Sequence, residues 1–416
     1  MNALAAREAA LRIVASVHRQ PTLRLPLDDA LGAVLAEDVV SPLDLPAWTN
    51  SAMDGYAARS EDVRGATEAR PVHLRVVEQI PAGRFPTHTL APGECARIFT
   101  GAPLPSGADS VIRQEDTDLG RERVAIRNDR DAGVNIRLAG EDIRKGATVL
   151  EAGAELGAAE LGVLASMAVA HPLVFRRPLV GILGGGDEIV DVDQPEEILS
   201  GRKIASSNSH SLHALVRLAG GVPLPLGIAR DTPESVRTHL ARAPECDLLV
   251  TTAGISVGEH DHLRDAVAGL GGSIDFWKLR MRPGAPVGFG QVLGIPWIGL
   301  PGNPVSAMVT FELFVRPAIR AMAGHGLPFR RTVPVRTAEA IALRPTLQHF
   351  LRAIVAETPT GPEARLTGPQ GSGILTSMVR ANALLVMAEG RHETAVGERV
   401  PALLLQDPVH QAEPGF

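Results

Sequence analysis

Aromatic residues make up only 3% of this chain, with a single tyrosine, Tyr56. That is too few for the base-stacking platforms that bind single-stranded nucleic acid. Cysteine is almost missing. Cys95 and Cys246 stand far apart with no CxxC spacing, which excludes a disulfide scaffold or cysteine-based zinc site and fits a reducing compartment. Lysine is as scarce: Lys145, Lys203 and Lys278 are the only ones among 41 basic residues. No apolar run reaches the roughly 18 residues of a membrane span. The best candidate, residues 153–175, carries Glu155, Glu160 and His171 and is broken by Pro172. Residues 1–20 read as an amphipathic helix, with Arg7, Glu8 and Arg12 where a signal peptide needs an apolar core. The expected setting is the cytoplasm, without membrane contact. Net charge is −6 and the pI is near 6.1, so no general nucleic-acid binding is expected. Any anionic ligand has to be held by a local basic cluster.

What is present is an ordinary soluble composition: 416 residues, 45% hydrophobic and 21% charged. At about 150 residues per domain this predicts two to four domains. Residues 1–45 begin with a helix and continue with a second over Leu27–Ala36, where Leu27, Leu31, Val34 and Leu35 share a face. Residues 46–140 change to short apolar runs between Pro/Gly punctuation, which reads as β structure. A helical stretch returns within 141–177. From 178 to 326 strands alternate with helices, predicting a parallel sheet with right-handed crossovers and ligands at the carboxyl ends of its strands. Residues 329–416 return to short strands, predicting a small β domain.

Five segments carry candidate chemistry. A buried strand, Leu248–Thr252, runs into Ala253-Gly254-Ile255-Ser256-Val257-Gly258-Glu259-His260-Asp261. Gly254 and Gly258 let backbone N–H groups approach a phosphate. Glu259 and Asp261 either hold Mg²⁺ with substrate oxygens or cap the next helix. An earlier strand ends in Gly184-Gly185-Gly186-Asp187-Glu188, which is neither a dinucleotide fingerprint nor a Walker loop. Phe276–Gly284 alternates as one strand with Lys278, Arg280 and Arg282 on one face. That face is an anion clamp or a solvated edge. Pro301-Gly302-Asn303-Pro304 forms a rigid loop before the helix Val305–Ala323. Asn50–Tyr56 is a polar loop bearing Asp54. The pairs His210/His213 and His260/His262 lack i,i+4 spacing, and no histidine metal site is expected.

In their set and order these motifs resemble one family, the MoeA-type molybdopterin molybdenumtransferases, which include the E domain of gephyrin. The resemblance is carried by Asn50–Ala57, Thr100-Gly-Ala-Pro-Leu-Pro105, Gly140-Glu-Asp-Ile143, Gly186-Asp-Glu188, Gly227–Asp231, Ser256-Val-Gly-Glu259, Phe276-Trp-Lys278 and Leu300–Pro304. It implies an α/β multidomain fold. A central three-layer α/β/α molybdopterin-binding domain (178–326) is flanked by β-rich domains: an inserted one (46–140), a helical and linker dimerisation domain (1–45 plus 141–177) and a small C-terminal β domain (329–416). It implies insertion of molybdate into adenylated molybdopterin with release of AMP, assisted by Mg²⁺, in an elongated homodimer whose sites draw on both subunits. Further partners implied are molybdopterin adenylyltransferase and molybdoenzyme apoproteins.

By motif match the catalytic positions are Asp54, Thr100, Asp142, Glu188, Asp231, Asp261, Lys278 and Arg282, with Glu188, Asp231 and Asp261 as the metal set. Substrate contacts fall on Asp187, Gly254, Ser256, Gly258, Pro301, Gly302, Asn303 and Pro304, and on Arg352 and Ser372 in the last domain. Carboxylates suit a cation that draws charge from a phosphoanhydride; Lys278 and the arginines suit molybdate and phosphate. The chain departs from the family in three places. Gly184-Gly185 replaces a usual Ser-Thr, Arg282 replaces a second lysine, and Ala253-Gly254 replaces a double glycine. Two competing readings are molybdopterin adenylyltransferase, whose domain resembles 178–326, and a non-catalytic molybdopterin-binding scaffold.

Overall fold

The computed structural model of the chain describes residues 3–252 and 262–406. The chain forms two compact units. One comprises Met1–Ala36, Gly153–Ala158 and His171–Phe416; the other comprises Glu37–Ala152 and Ala159–Ala170.

At the centre of the first unit is a six-stranded sheet. Its order is Val222–Ala229, Leu179–Gly185, Leu248–Thr252, Ile295–Leu300, Gly288–Val292, Ser273–Phe276. The period-2 alternation of strand side chains sorts the sheet into two cores. Val180, Ile182, Leu248, Val250, Ile298 and Leu300 pack on one face with Ile13, Leu212, Val216, Phe311 and Phe314. Leu183, Leu249 and Trp297 pack on the other with Leu240, Leu263 and Val267. The helices behind these residues are Ala6–Ser16, Ser207–Leu218 and the long segment after residue 303 on one side, and Pro233–Leu240 and His262–Gly269 on the other. This is the expected α/β/α sandwich.

Local sequence sets the helix ends. Pro233 occupies the first turn, and the Thr232 side chain accepts a hydrogen bond from the Ser235 N–H at 3.2 Å. The long segment runs Pro304–Thr310, then a π-helical turn Phe311–Val315, then Arg316–Met322. Pro317 has no N–H to donate into this helix, and the widened turn lies just before it.

Three expectations are corrected. The sheet is not wholly parallel: Gly288–Val292 is antiparallel to both of its neighbours. The hairpin responsible turns on Leu293 and Gly294, at φ 50° and 80°, and a leucine is not the residue type that announces such a turn. The helix over Leu27–Ala36 shrinks to a 3₁₀ turn, Leu27–Ala30. Gly32 sits at φ 73°, and Val34 and Leu35 then bridge to Glu155 and Val174 as extended chain. Finally, Phe276–Gly284 is not one strand. Ser273–Phe276 belongs to the central sheet, whereas Met281–Arg282 pairs with Gln348–His349 in a second sheet.

That second sheet is built from Met281–Arg282, Gln348–Ala356, Glu363–Leu366, Thr332–Thr337, Arg399–Leu404 and Ala383–Met387. The last strand also pairs with Gln348–Ala356, so the ring of pairings closes around Val335, Leu351, Val355, Leu385 and Val400. The other unit carries a five-stranded sheet in the order Ser110–Arg113, Gly55–Ala58, Glu94–Ile98, Val72–Ile80, Arg123–Ile126. Its core holds Tyr56, Leu74, Cys95, Ile112 and Val124. Gly55 has to be glycine, because a Cβ there would overlap the Ile112 carbonyl.

Candidate active site

Three parallel strands end at one cavity of about 750 Å³. Leu179–Gly185 delivers Gly184 and Gly185, Leu248–Thr252 delivers Thr252, and Ile295–Leu300 delivers the loop Pro301–Pro304. Glu188, Trp277 and Lys278 complete much of the wall. The exposed Lys278 ammonium has no hydrogen bond or ion pair among the described residues. Trp277 packs at a tilt of 38° on the buried Trp297, ring centroids 5.7 Å apart, so a braced apolar surface lines the same cavity as a cation and a carboxylate.

Sequence reasoning missed Asn208, which lines this cavity from the first turn of Ser207–Leu218. Its Nδ2 donates to the Gly302 carbonyl at 2.8 Å, fixing which end of the amide is which. Oδ1 is left buried and without a partner. A buried acceptor left open costs about 1–3 kcal/mol, which makes Asn208 a candidate contact for a group entering from the cavity its side chain lines. A polar residue just after a helix start, beside a strand end, was the available signal.

The carboxylates divide by task. Gly186 stands at φ 128°, and a Cβ there would lie 2.8 Å from Glu188 Oε2, so glycine makes room for that side chain. Asp187 and Asp231 bind each other's backbone: the Asp187 N–H donates to Asp231 Oδ2 at 3.3 Å and the Asp231 N–H to Asp187 Oδ1 at 3.2 Å. Lys203 Nζ donates to the Asp187 carbonyl at 2.7 Å, tying a third element to the loop. Asp231 lines a smaller cavity that shares Gly184, Gly185 and Thr252 with the large one. Among the described residues no three potential ligands cluster. Mg²⁺ is commonly held by one or two carboxylates plus substrate phosphate oxygens, and the carboxylates on offer, Glu188 and Asp231, line these adjoining cavities. Gly254, Ser256, Gly258 and Asp261 lie outside the described residues.

A second cavity of about 520 Å³ opens in the C-terminal sheet, lined by Arg282, Arg344, His349, Arg352 and Gln370. Arg352 is fully buried, and among the described residues no carboxylate pairs with it. Nε donates to Ser377 Oγ at 3.1 Å and Nη2 to the Gly371 carbonyl at 2.9 Å, while Nη1 has no partner. Burial, then the nearby Arg282, push its pKa down to about 10. Ser372 presents its carbonyl to the Val305 N–H at 3.1 Å. Arg280, between the two cavities in sequence, is engaged by Glu389 and the Ala3 carbonyl. The three basic residues of this segment therefore do three different things.

In the other unit Asp54 and Thr100 meet. Oδ1 of Asp54 accepts from both the Thr100 N–H and Oγ, each at 2.8 Å. These bonds, the backbone one first, hold the carboxyl below its usual range. Asp142 is exposed in the same unit, its N–H on the Leu45 carbonyl at 3.1 Å.

Three family models match the chain in order: the MoeA N-terminal region (domain I and II) over residues 4–168, the "probable molybdopterin binding domain" over 181–321, and the MoeA C-terminal region (domain IV) over 334–405. A molybdopterin molybdenumtransferase 2 of Mycobacterium tuberculosis is 40% identical, the match covering 94% of this chain and 96% of that one. The molybdopterin molybdenumtransferase of a Nostoc species is 37% identical over 94% and 90%. The crystal structure of the molybdopterin biosynthesis MoeA protein from Pyrococcus horikoshii superposes with a TM-score of 0.81 at 30% identity, over 97% of this chain and all of that one. Matching along its whole length rather than only over residues 181–321, the chain belongs to the MoeA-type molybdopterin molybdenumtransferase family.

Proposed function

We propose that this chain inserts molybdate into the dithiolene of adenylated molybdopterin, with hydrolysis of the adenylyl bond. Water adds to the adenylyl phosphorus, the phosphoanhydride P–O bond breaks, AMP leaves, and the molybdopterin phosphate keeps the bridging oxygen. The observation that carries the reading is the pair of cation-lined cavities joined by one short segment. Lys278 lines the larger, and Arg282 with the buried Arg352, which meets no carboxylate among the described residues, lines the other.

Each residue has a physical task in this reading. Trp277 and the Pro301–Pro304 loop offer a rigid apolar cleft for a flat ring system, and Asn208 Oδ1 accepts a ring N–H. Lys278, Arg282 and Arg352 offset the charge of molybdate and phosphate where water is partly excluded. Glu188 and Asp231, with Asp261 as the resemblance implies, would hold Mg²⁺, which supplies charge withdrawal from the phosphoanhydride. Lys203 and the reciprocal Asp187/Asp231 contacts keep the acidic loop in place. The homodimer, the cytoplasmic setting, and the roles of Asp54, Thr100 and Asp142 belong to the same proposal. So do exchange with molybdopterin adenylyltransferase and with molybdoenzyme apoproteins.

The test is AMP release from adenylated molybdopterin by the purified chain, with and without molybdate. Molybdate-dependent release together with a molybdenum-containing pterin is expected. Formation of adenylated molybdopterin from ATP, or no turnover at all, would sink the reading.

A further inference from the structure

A cavity of about 220 Å³ that shares no residue with the strand-end cavities is lined mainly by arginines. Arg316 and Arg320 come from successive turns of Arg316–Met322. Arg330 and Arg331 come from the connection into Thr332–Thr337. Leu327 and Phe329 line the same cavity, and both are exposed.

The acids nearby are too few. Glu312, 6% exposed, serves two arginines: Arg330 Nε at 2.6 Å and Arg316 Nε at 3.8 Å. Glu155, half exposed, reaches Arg320 at 3.1 Å and His325 at 3.2 Å. His325 adds no positive charge. Its Nδ1 lies between Arg320 Nη2, at 3.0 Å, and Glu155 Oε2, at 3.2 Å, and the ring is buried against the guanidinium. Burial, with Arg320 next, pushes the His325 pKa down to about 4. One donor of Arg316 goes to the Pro328 carbonyl and one of Arg330 to the Leu404 carbonyl, each at 3.4 Å. The Arg331 side chain has no hydrogen bond or ion pair among the described residues. Four guanidiniums thus face two carboxylates, an excess of two positive charges, and the Arg316 side chain is only 15% exposed. Buried charge is ordinarily paired. Burial and the neighbouring Arg330 press the Arg316 pKa down to about 10, the mark of cations crowded short of anions.

We propose that this cavity is a binding site for a doubly charged phosphate group, separate from the reaction cavities. Its charge balances the excess, and the forked donors of arginine match tetrahedral oxyanions. The exposed Leu327 and Phe329 favour a phosphate monoester with a carbon portion over the free ion. The site sits where Arg316–Met322 hands over to the C-terminal sheet, since Thr332 pairs with Leu403 and Leu404 lines the cavity. A bound phosphate therefore ties those two elements together and raises thermal stability. This inference does not depend on the reaction proposed above.

Isothermal titration of the full chain with inorganic phosphate and with glycerol 3-phosphate tests it. A Lys278→Ala/Arg282→Ala background weakens competing oxyanion binding in the other cavities. One site is expected to remain, tighter for the monoester, with a rise in melting temperature beyond that given by chloride at equal ionic strength. Adding Arg331→Glu, an exposed position, is expected to weaken it at least about tenfold, the loss of one charge-assisted contact. Arg320→Gln gives a second reading on the opposite wall, and circular dichroism checks the fold of both. Equal affinity in all variants overturns the proposal. So does binding that emerges only once residues 407–416 are removed, which would mean that the chain itself fills the cavity.

Discussion

The Asn208 amide nitrogen is bound to the Gly302 carbonyl, and the oxygen of this cavity-lining side chain is buried with no partner among the described residues. Asn208→Ala removes that acceptor. The expected result is a rise of about tenfold in KM for adenylated molybdopterin, from about 1–2 kcal/mol of lost hydrogen bonding, with a smaller change in kcat. Steady-state AMP release measures both, and unchanged KM would remove Asn208 from substrate recognition.

Lys278, Arg280 and Arg282 separate the anion-clamp idea from a merely solvated basic face. Lys278→Ala and Arg282→Ala are each expected to lower molybdate-dependent turnover by about tenfold to a hundredfold. Lys278→Arg should recover only part of it, because the two cations differ in shape and hydration. Arg280→Ala, which loses Glu389 and the Ala3 carbonyl, should instead affect melting temperature more than rate. Three small and equal effects on rate would leave the clamp unsupported.

Arg352 carries a buried charge with no counter-charge among the described residues. Arg352→Met keeps much of the volume and removes the desolvated cation, a change that often leaves stability level or improved. Thermal unfolding is expected to stay level or rise while molybdate use falls at least about tenfold. A fall in both would make Arg352 a structural residue of the C-terminal sheet.

Asp54 titrates low because Thr100 donates twice to one of its oxygens. A carboxyl whose folded pKa lies below its unfolded value contributes stability above the unfolded pKa, near 3.9, and loses it as pH falls through the folded pKa. Thr100→Val removes one of the two donors. The Asp54 pKa is then expected to move up toward the ordinary value, read by carboxyl NMR titration. No movement would mean the hydroxyl does not hold it.

Both thiols are buried, and burial raises Cys95 to about 12 and Cys246 to about 11. Since the thiolate is the reactive form, native protein at pH 8 should resist iodoacetamide, with both cysteines labelling in denaturant. Mass spectrometry counts the adducts; rapid native labelling of either would contradict its burial.

The cores were the most legible part of the sequence. The Leu248-Leu249-Val250 run really does alternate between two hydrophobic layers, and Thr232-Pro233 starts its helix where capping rules place it. Reading failed where one backbone feature overrode a pattern. Gly32 at positive φ ended the apolar helix face of Leu27–Leu35, and Leu293 adopted a turn geometry usually given to Asn or Gly. Alternation over 278–283 is true of burial, since Leu279 and Met281 are buried and Lys278, Arg280 and Arg282 exposed, but burial is not strand continuity. Arg352 was found by resemblance; that no described carboxylate meets it is visible only in three dimensions. Asn208 carried too common a signal to be singled out.

The pairing of Met281–Arg282 with Gln348–His349 has a consequence for how this protein can be divided. The C-terminal sheet contains a strand borrowed from the middle of the chain, inside the stretch matched by the molybdopterin-binding model. A fragment cut at residue 330 would lack that strand and keep an uncovered edge, and the part left behind would carry two residues with nowhere to pair. Recombination at the linker between relatives has to preserve that two-residue match, so the last domain is inherited together with the segment that holds Lys278 and Arg282 rather than as a free-standing cassette.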